Sequence, residues 1–297
     1  NILLIKTSKQ TAKTAQQMTN AFAKTDLVTE LETVIDDVSA MEDVWVVIFT
    51  GDGDKAFVAG GDIKEMYVMN PEKGVAYSKL GTRVLYKIEN MPQPTIAAVN
   101  GYALGGGTEI AMAFDMRIAS DRAIFGQPET GLGIIPGFAG TQRLSRLVGK
   151  GMAKMMIFTS MRIKADEALR IGLVQRVVPH ESLMDEAKKL ANQIASCSPN
   201  AVRLAKSAIN QGFEMDFWSA NVYESHVFGL CFTNSDQVEG MRAFVEKDKA
   251  VFYWWKTEHF CNQHLPRVKM AGLDPDKYYK VHELNRIDTE PLKFEGK

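Results

Sequence analysis

The chain has 297 residues, 45% apolar and 24% charged, a composition typical of a globular protein and unlike that of a disordered one. Its net charge of -1 gives no long-range attraction to nucleic acid or to an anionic membrane, so we expect neither as a partner. The three scattered cysteines, the unpaired histidines and the lack of a long apolar run predict no disulfide framework, no metal site and no membrane span. We therefore expect a cytoplasmic protein.

Strands and glycine-rich loops alternate along the first two thirds of the chain. Nearly continuous apolar runs at 44–50 and 94–100 predict two strands that are covered on both faces. A helix between them is expected to end at Pro92. Shorter apolar runs at 116–120 and 173–179 predict two more strands around another glycine-rich loop and a helix. This order predicts an α/β protein.

The sequence changes character twice towards the C-terminus. From about Glu181 to Phe252, apolar residues recur at helical spacing and few residues favour strands, so only helices are expected. Residues 253–297 are aromatic, interrupted by prolines and aperiodic, and we predict no element there.

Two glycine-rich loops directly follow the two strongest predicted strands. One begins at Gly51 and continues to Met66, and the other contains three consecutive glycines, Gly105 to Gly107. Glycines let backbone N–H groups point at a ligand, and a helix beginning at the second loop adds the positive end of its dipole. Either loop alone is equally well explained as a simple turn. Together they predict an oxyanion hole, in which two N–H groups bind one oxygen.

Two glutamates with apolar neighbours stand close to these loops. Glu109 lies among Ile110, Ala111 and Met112, and Glu129 follows Pro128 in a segment rich in glycine. A single glutamate is usually a surface or ion-paired group. Two desolvated carboxyl groups that meet can hold a water molecule and divide the roles of acid and base.

Four segments in the same order resemble the crotonase (enoyl-CoA hydratase/isomerase) superfamily: KAFVAGGDIKEM at 55–66, IAAVNGYALGGGTEIAMAFDMRIAS at 96–120, FGQPETGLGIIPGFAGTQRL at 125–144 and GMRAFVEKDKAVF at 240–252. The resemblance covers about 27–252 and is closest to the short-chain bacterial hydratases that interconvert crotonyl-CoA and 3-hydroxybutyryl-CoA. It implies a crotonase-type spiral core of ββα repeats at 1–195, of which 1–26 is atypical. A C-terminal helical segment at 196–252 is expected to form a homotrimer or homohexamer, and 253–297 lies outside the family.

The resemblance also implies the site. The amides of Gly61 and Gly106 would bind the thioester carbonyl of an acyl-CoA, Glu109 would activate water, and protonated Glu129 would supply the proton to C2. Family members that mainly isomerise double bonds often lack the first glutamate, so the presence of both favours hydration. Gly137 would help to orient the water and Gln127 would support Glu129, with no cofactor beyond the CoA of the substrate. Residues expected to contact CoA are Ala59, Gly60, Asp62, Ile63, Lys64, Phe244 and Lys247.

Three features depart from the family pattern. Residues 8–28 have no strand periodicity where relatives have their first strand, so we expect a missing edge strand and, with it, weaker CoA binding or lower stability. Phe138 stands in the glycine loop where smaller residues are usual, and is expected to shorten the acyl pocket. Residues 272–285 faintly resemble the C-terminal β-domain of some bacterial α-galactosidases.

Several alternatives stay open at this point. GDGDKA at 51–56 fits a loose dinucleotide-binding pattern, but the helix that this pattern requires does not follow in the sequence. An RNA-binding role is disfavoured because no basic stripe is present. Isomerase, hydrolase or dehalogenase chemistry on the same fold, or a catalytically weakened hydratase, remains compatible with the sequence.

Overall fold

The computed structural model of the chain describes residues 2–7 and 25–245. The described residues as far as Gln237 belong to one compact unit, and Val238–Val245 belong to a second unit that continues beyond them. The strands within these ranges are β1 Ile2–Thr7, β2 Val46–Gly51, β3 Ala56–Val58, β4 Thr95–Val99, β5 Tyr102–Leu104, β6 Met116–Ser120, β7 Ile124–Gly126, β8 Arg162–Lys164 and β9 Arg176–Val178.

Helices cover most of the remaining described residues. They are α1 Thr25–Ser39, α2 Ile63–Tyr67, α3 Pro71–Asn90, α4 Gly106–Ala113, α5 Gly140–Phe158, α6 Ala165–Arg170, α7 Leu183–Ala195, α8 Pro199–Phe213, α9 Phe217–Cys231 and α10 Ser235–Val245, with short 3₁₀ helices at Pro128–Leu132 and His180–Ser182. Local chemistry explains their ends. In α3, for example, Asn70 accepts a hydrogen bond from the amide of Lys73 and Pro71 occupies the first turn. The predicted helix end before Pro92 and the all-helical region after Glu181 are confirmed as far as Val245.

The strands form two sheets with a repeating connection. A parallel sheet has the order β1-β2-β4-β6-β9, and a smaller sheet has the order β3-β5-β7-β8, in which only the β7–β8 pair is antiparallel. Along the chain, β2-β3, β4-β5 and β6-β7 are each followed by helices, and each pair gives its first strand to the large sheet and its second to the small one. The predicted ββα repeat is therefore confirmed.

The large sheet separates two apolar clusters. Alternate residues of β2 point to opposite faces, so Val47 and Phe49 pack in the main core and Val46 and Ile48 pack against α7. The main core also fills the space around the small sheet and α4. Because both faces of the large sheet are covered, its strands read as continuous apolar runs in the sequence.

The expectation of a missing edge strand is wrong. Residues Ile2–Thr7, which precede the atypical segment, pair in parallel with β2, from Ile2 opposite Val46 to Thr7 opposite Gly51. The backbone groups of β2 are therefore not left open on that side. Residues 8–24, which include most of the segment on which that expectation depended, lie outside the described residues.

Other differences concern short strands. The strand predicted at 173–179 is limited to Arg176–Val178, and the strand predicted at 44–50 begins at Val46. Both glycine-rich loops contain three-residue strands, β3 and β5, that the sequence analysis did not predict. The dinucleotide-binding alternative is wrong because GDGDKA leads from β2 directly into β3, and no helix begins there.

Candidate active site

The residues predicted to form the site follow three neighbouring strands of the small sheet. Strands β3, β5 and β7 run parallel, so their carboxyl ends meet at one edge of the sheet. Ala59–Asp62 follows β3, Gly105–Glu109 follows β5 and Gln127–Glu129 follows β7. The topology therefore brings together three segments that lie about 70 residues apart at their extremes.

The two loops of the predicted oxyanion hole are packed against each other. A Cβ atom built on Gly107 would lie 1.9 Å from the carbonyl oxygen of Val58, and one built on Gly60 would lie 3.2 Å from that of Leu104. Among the described residues, no group accepts a hydrogen bond from the amide of Gly61 or of Gly106. Gly106 is the first residue of α4, where backbone N–H groups have no partner within the helix. Both predicted donors are therefore available to a ligand.

Glu109 is held at the start of α5. Its side chain is buried, and its Oε1 accepts hydrogen bonds from the amides of Phe138 and Gly140, each at 2.7 Å. These donors belong to the first turn of α5 and the loop before it, where the helix dipole favours a negative charge. Burial, and next the charge of Glu129, raise the pKa of Glu109 to about 7, although the two hydrogen bonds and Arg143 act to lower it.

Glu129 lies in the 3₁₀ helix Pro128–Leu132 and is also buried. Its Oε2 has no hydrogen-bond partner in the described part of the chain. Burial raises the pKa of Glu129 to about 6. A buried carboxyl oxygen without a partner is costly unless it is protonated or meets a ligand, so this atom marks a site for a polar ligand group.

Gly105 lies beside both glutamates. Its φ is +54°, and a Cβ built on it would lie 2.7 Å from Oε1 of Glu129. Its carbonyl accepts hydrogen bonds from the amide of Glu109 and from Nε2 of Gln127. Both glutamates therefore lie beside this glycine, and the charge of Glu129 is near enough to Glu109 to raise its pKa. The structure thus brings Glu109 and Glu129 together, as the sequence analysis required of a catalytic pair.

Gln127 and Gly137 also lie at this edge. The side chain of Gln127 is fully buried, and its Oε1 has no partner among the described groups. The carbonyl of Gly137 accepts a hydrogen bond of 2.5 Å from Ser78, and no described residue accepts one from its amide. Gly137 directly precedes Phe138, whose amide binds Glu109, so its free N–H lies one residue from that contact.

Five of the residues predicted to contact CoA, at 59–60 and 62–64, form an accessible rim beside the β3 loop. Asp62 caps α2 by accepting a hydrogen bond of 2.8 Å from the amide of Lys64. Ala59 and Lys64 are exposed, as is Ile63, whereas Gly60 is half-buried. Phe244 lies on α10 in the second unit with an exposed side chain, and Lys247 is outside the described residues.

Sequence analysis missed two residues that the structure places at the site. The ring of Tyr77, from α3, lies 5.0 Å from that of Phe138, and burial, with the charges of Glu65, Glu109 and Asp62, raises the pKa of Tyr77 to about 12. Thr108 is fully buried, and its hydroxyl lies within hydrogen-bond distance of the carbonyls of Ala103 in β5 and of Gly126 at the end of β7. Thr108 could have been identified from the sequence, because it is a polar residue in the first turn of an apolar helix. No feature of the sequence distinguished Tyr77.

Within the described ranges, no group of three histidine, cysteine, aspartate or glutamate side chains is arranged to hold a metal ion. No helix in those ranges combines the length and hydropathy needed to cross a membrane.

Comparisons with known proteins identify the family of the chain. The model of the enoyl-CoA hydratase/isomerase family matches residues 12–254. The short-chain-enoyl-CoA hydratase of Clostridium acetobutylicum is 55% identical over 75% of this chain and 86% of its own length. The crotonyl-CoA hydratase of Syntrophomonas wolfei is 52% identical over 78% of this chain and 89% of its own length.

Solved structures show the same fold. The enoyl-CoA hydratase from Bacillus anthracis superposes with a TM-score of 0.75 at 42% identity, covering 82% of this chain and 93% of that one. A second family model, the C-terminal domain of glycosyl hydrolase family 36, matches residues 241–297, the region in which a faint resemblance to α-galactosidases was predicted. The family match across most of the chain, the close relatives and the shared crotonase-type fold lead to one assignment: the chain belongs to the enoyl-CoA hydratase/isomerase family and is an enzyme of that family.

Proposed function

We propose that this enzyme adds water reversibly to a trans-2-enoyl-CoA, crotonyl-CoA being the preferred substrate, to give the 3-hydroxyacyl-CoA. The observation that carries the proposal is the meeting of two buried carboxyl groups, Glu109 and Glu129, around Gly105, beside two backbone amides without partners. The names of the two relatives quoted above, a short-chain-enoyl-CoA hydratase and a crotonyl-CoA hydratase, support the choice of substrate.

In the proposed mechanism the amides of Gly61 and Gly106 bind the thioester oxygen. Polarisation of that C=O bond makes C3 of the enoyl chain electrophilic, and negative charge develops on the oxygen in the transition state. Each such donor typically contributes a factor of about 10²–10³ to the rate. The unpaired state of both N–H groups supports this role, since neither must break an internal bond to act.

The two glutamates divide the proton transfers. Glu109, as carboxylate, takes a proton from water while the water oxygen bonds to C3. The electron pair of the C2–C3 double bond moves towards the thioester, and C2 takes the proton of Glu129. The amide of Gly137 orients the water and Gln127 supports Glu129. In the reverse direction Glu109 returns its proton to the leaving hydroxyl group, and Glu129 removes the proton from C2.

Hydration and dehydration both require that Glu109 and Glu129 together carry one proton. The two hydrogen bonds to Glu109 favour its charged form and the unpartnered Oε2 of Glu129 favours a proton there, which is the distribution needed for hydration. Burial, and next the charge of Glu129, nevertheless raise the pKa of Glu109 to about 7, which also favours a proton on Glu109. That opposite distribution is the one needed for dehydration. Because the pair titrates as a unit, the singly protonated state serves both directions.

We further propose that the CoA moiety binds along Ala59, Gly60, Asp62, Ile63 and Lys64, and that no other cofactor is needed. The accessible rim beside the β3 loop supports the proposed path of CoA.

We also propose a homotrimer or homohexamer. Large apolar side chains are exposed on α8 and α9 of the single chain, namely Phe213, Phe217, Trp218 and Phe228, and sedimentation analysis would reveal a monomer if this proposal is wrong.

The test follows the ultraviolet absorbance of the enoyl thioester on mixing purified protein with crotonyl-CoA. We expect wild-type protein to consume the absorbance, and Glu109→Gln and Glu129→Gln each to lose on the order of 10²–10⁴ in turnover. Glu167→Gln, which removes a glutamate from a surface ion pair with Arg170, is the matched control and should keep wild-type turnover. Full activity in both site variants would contradict the proposal, as would isomerisation of a 3-enoyl-CoA with no hydration.

A further inference from the structure

A hydrogen-bonded chain of hydroxyl groups lies beneath the turn that carries Glu129. The amide of Gly131 donates to Oγ of Ser160 at 2.9 Å, and Oγ of Ser160 lies 2.9 Å from Oγ1 of Thr130. Thr130 donates its hydroxyl hydrogen to the carbonyl of Ile157. Thr130 is therefore the acceptor in the shorter contact of Ser160, whose Oγ also lies 3.4 Å from the carbonyl of Pro128. Through Thr130, the hydrogens run in one direction from Gly131 through Ser160 to Ile157.

Ser160 occupies a backbone conformation that favours glycine. Its φ is +52°, in the left-handed region, at the corner between α5 and β8. β8 pairs with β7, with Gly126 opposite Arg162, so the corner that contains Ser160 lies beside the residues that follow β7. A residue other than glycine in this conformation carries strain on the order of 1–2 kcal/mol, and such positions often have a functional reason.

The carboxyl group of Glu129 accepts a hydrogen bond from its own backbone amide, so its direction follows that of its backbone. Its Oε2 has no partner in the described structure, so no hydrogen bond at that oxygen holds the carboxyl group. The backbone around Glu129, by contrast, is held by hydrogen bonds. The carbonyl of Glu129 accepts a hydrogen bond from Ile134, and the next two residues, Thr130 and Gly131, are both tied to Ser160. The orientation of the Glu129 carboxyl group therefore depends on how firmly Thr130 and Gly131 are held.

We propose that Ser160 is a positioning residue whose hydroxyl fixes the 3₁₀ turn and thereby aims Glu129 at the substrate. The inference rests on the proposed function, because it assigns Ser160 a role only through Glu129. Ser160 touches neither the carboxyl group nor any residue predicted to bind substrate. Hydrogen bonds in a unidirectional chain strengthen one another, so loss of the middle member loosens both ends of the turn.

Two variants separate the hydroxyl from the backbone. Ser160→Ala removes the hydroxyl and keeps the strain, whereas Ser160→Gly removes the hydroxyl and suits the positive φ, so the second variant folds even if the first is destabilised. We expect each to lower kcat for crotonyl-CoA by about tenfold, because displacement of a catalytic group by about 1 Å costs up to about 10²-fold. The KM should stay within about twofold, since binding does not use Glu129.

The adjacent hydroxyl provides the control. Thr159 donates only to the carbonyl of Met155 in its own helix, and Thr159→Ala should keep wild-type kcat. A double-mutant comparison identifies the mechanism: in a Glu129→Gln background, adding Ser160→Ala should change kcat by less than about twofold, because the group that it positions is already disabled.

Three results would overturn the inference. One is unchanged kcat in both Ser160 variants, and another is an equal loss of kcat in the wild-type and Glu129→Gln backgrounds, which would indicate a general structural role. The third is full turnover by Glu129→Gln alone. That result would remove the proposed role of Glu129 and this inference with it, whereas the first two leave the role of Glu129 intact.

Discussion

Replacing Gly107 by alanine is a direct test of how the two glycine-rich loops are joined. Gly107 is the second residue of α4, between Gly106, a predicted oxyanion donor, and Glu109. A Cβ at this position would lie 1.9 Å from the carbonyl oxygen of Val58, 2.8 Å from its carbonyl carbon and 3.1 Å from its Cβ. The obstacle is mostly backbone, so no rotation of a side chain relieves the contact.

The size of the effect follows from these distances. Real Cβ contacts essentially never fall below 3.0 Å, so α4 and the end of β3 must separate by about 1 Å. That movement carries Gly106 away from Gly61, the residue three positions after Val58. A misplacement of about 1 Å costs on the order of 10² in rate, or about 2.7 kcal/mol of transition-state stabilisation. Overpacking should also lower the free energy of unfolding by about 1–3 kcal/mol.

The assay is the hydration of crotonyl-CoA, with denaturant unfolding of the same samples. Gly151→Ala is the matched control, because Gly151 also lies in a helix but nothing stands within 4 Å of a Cβ built on it. We expect it to keep wild-type kcat and to gain about 0.5–1 kcal/mol in stability. If Gly107→Ala folds and keeps its kcat within twofold of wild type, the two loops do not form a rigid pair of donors and the reasoning fails.

The remaining predictions concern the two acids, a half-buried ion pair and the ring of Phe138. If the carboxyl pair acts with one proton, kcat/KM should be bell-shaped with its maximum between about pH 6 and pH 7, because the base is lost below and the acid above this window. A kcat/KM that stays level about two pH units below and above this window contradicts the assignment. Asp115→Asn takes the counter-ion from the half-buried ammonium of Lys206, 2.9 Å from Oδ2, and should lower the free energy of unfolding in urea by about 1–3 kcal/mol. Asp36→Asn in an exposed pair should lower it by less than about 1 kcal/mol. Phe138→Ala should lower the free energy of unfolding by about 3–5 kcal/mol, because the ring is buried. It should also raise kcat/KM for longer enoyl-CoA chains relative to crotonyl-CoA, because the ring fills space beside Gly106. An unchanged chain-length preference would show that the Phe138 ring does not limit the acyl pocket.

The strands of the large sheet could be predicted from the sequence because they are covered on both faces. Burial on both sides makes 46–51 and 95–99 continuous apolar runs, and such runs stand out in any window. The small sheet was not readable. Strands of three residues, such as β3 (AFV) and β5 (YAL), show no period, and the glycine-rich segments around them indicate loops. Their existence depends on pairing with distant strands, which local patterns do not report.

The N-terminal error has a related cause. The sequence argument compared 8–28 with the place where a first strand was expected and found no alternation. The observed strand ends at Thr7, just before that segment. Pairing with β2 requires backbone groups and an apolar run of about six residues, and Ile2–Ile5 supplies most of that run. A resemblance judged position by position therefore missed a strand that the preceding residues could form.

The site was predictable in its acids but not in the residues that hold them. Glu109 and Glu129 stood out because each carries a charge into an apolar setting, which is a local property of the sequence. The contacts of Ser160 with Thr130 and Gly131, by contrast, join segments about 30 residues apart. A lone serine after a helix is common, and only its positive φ and its partners distinguish it.

The three consecutive glycines at 105–107 have three different physical reasons, although they read as one motif. Gly105 has a positive φ, and a Cβ there would strike Oε1 of Glu129 at 2.7 Å. Gly107 has no room because the backbone of Val58 lies against it. A Cβ on Gly106 would meet only the ring of Phe138, at an ordinary contact of 3.8 Å, so the folded protein alone does not require glycine there. A requirement for glycine at this position must therefore come from what binds against it, which is the place where the thioester is proposed to lie.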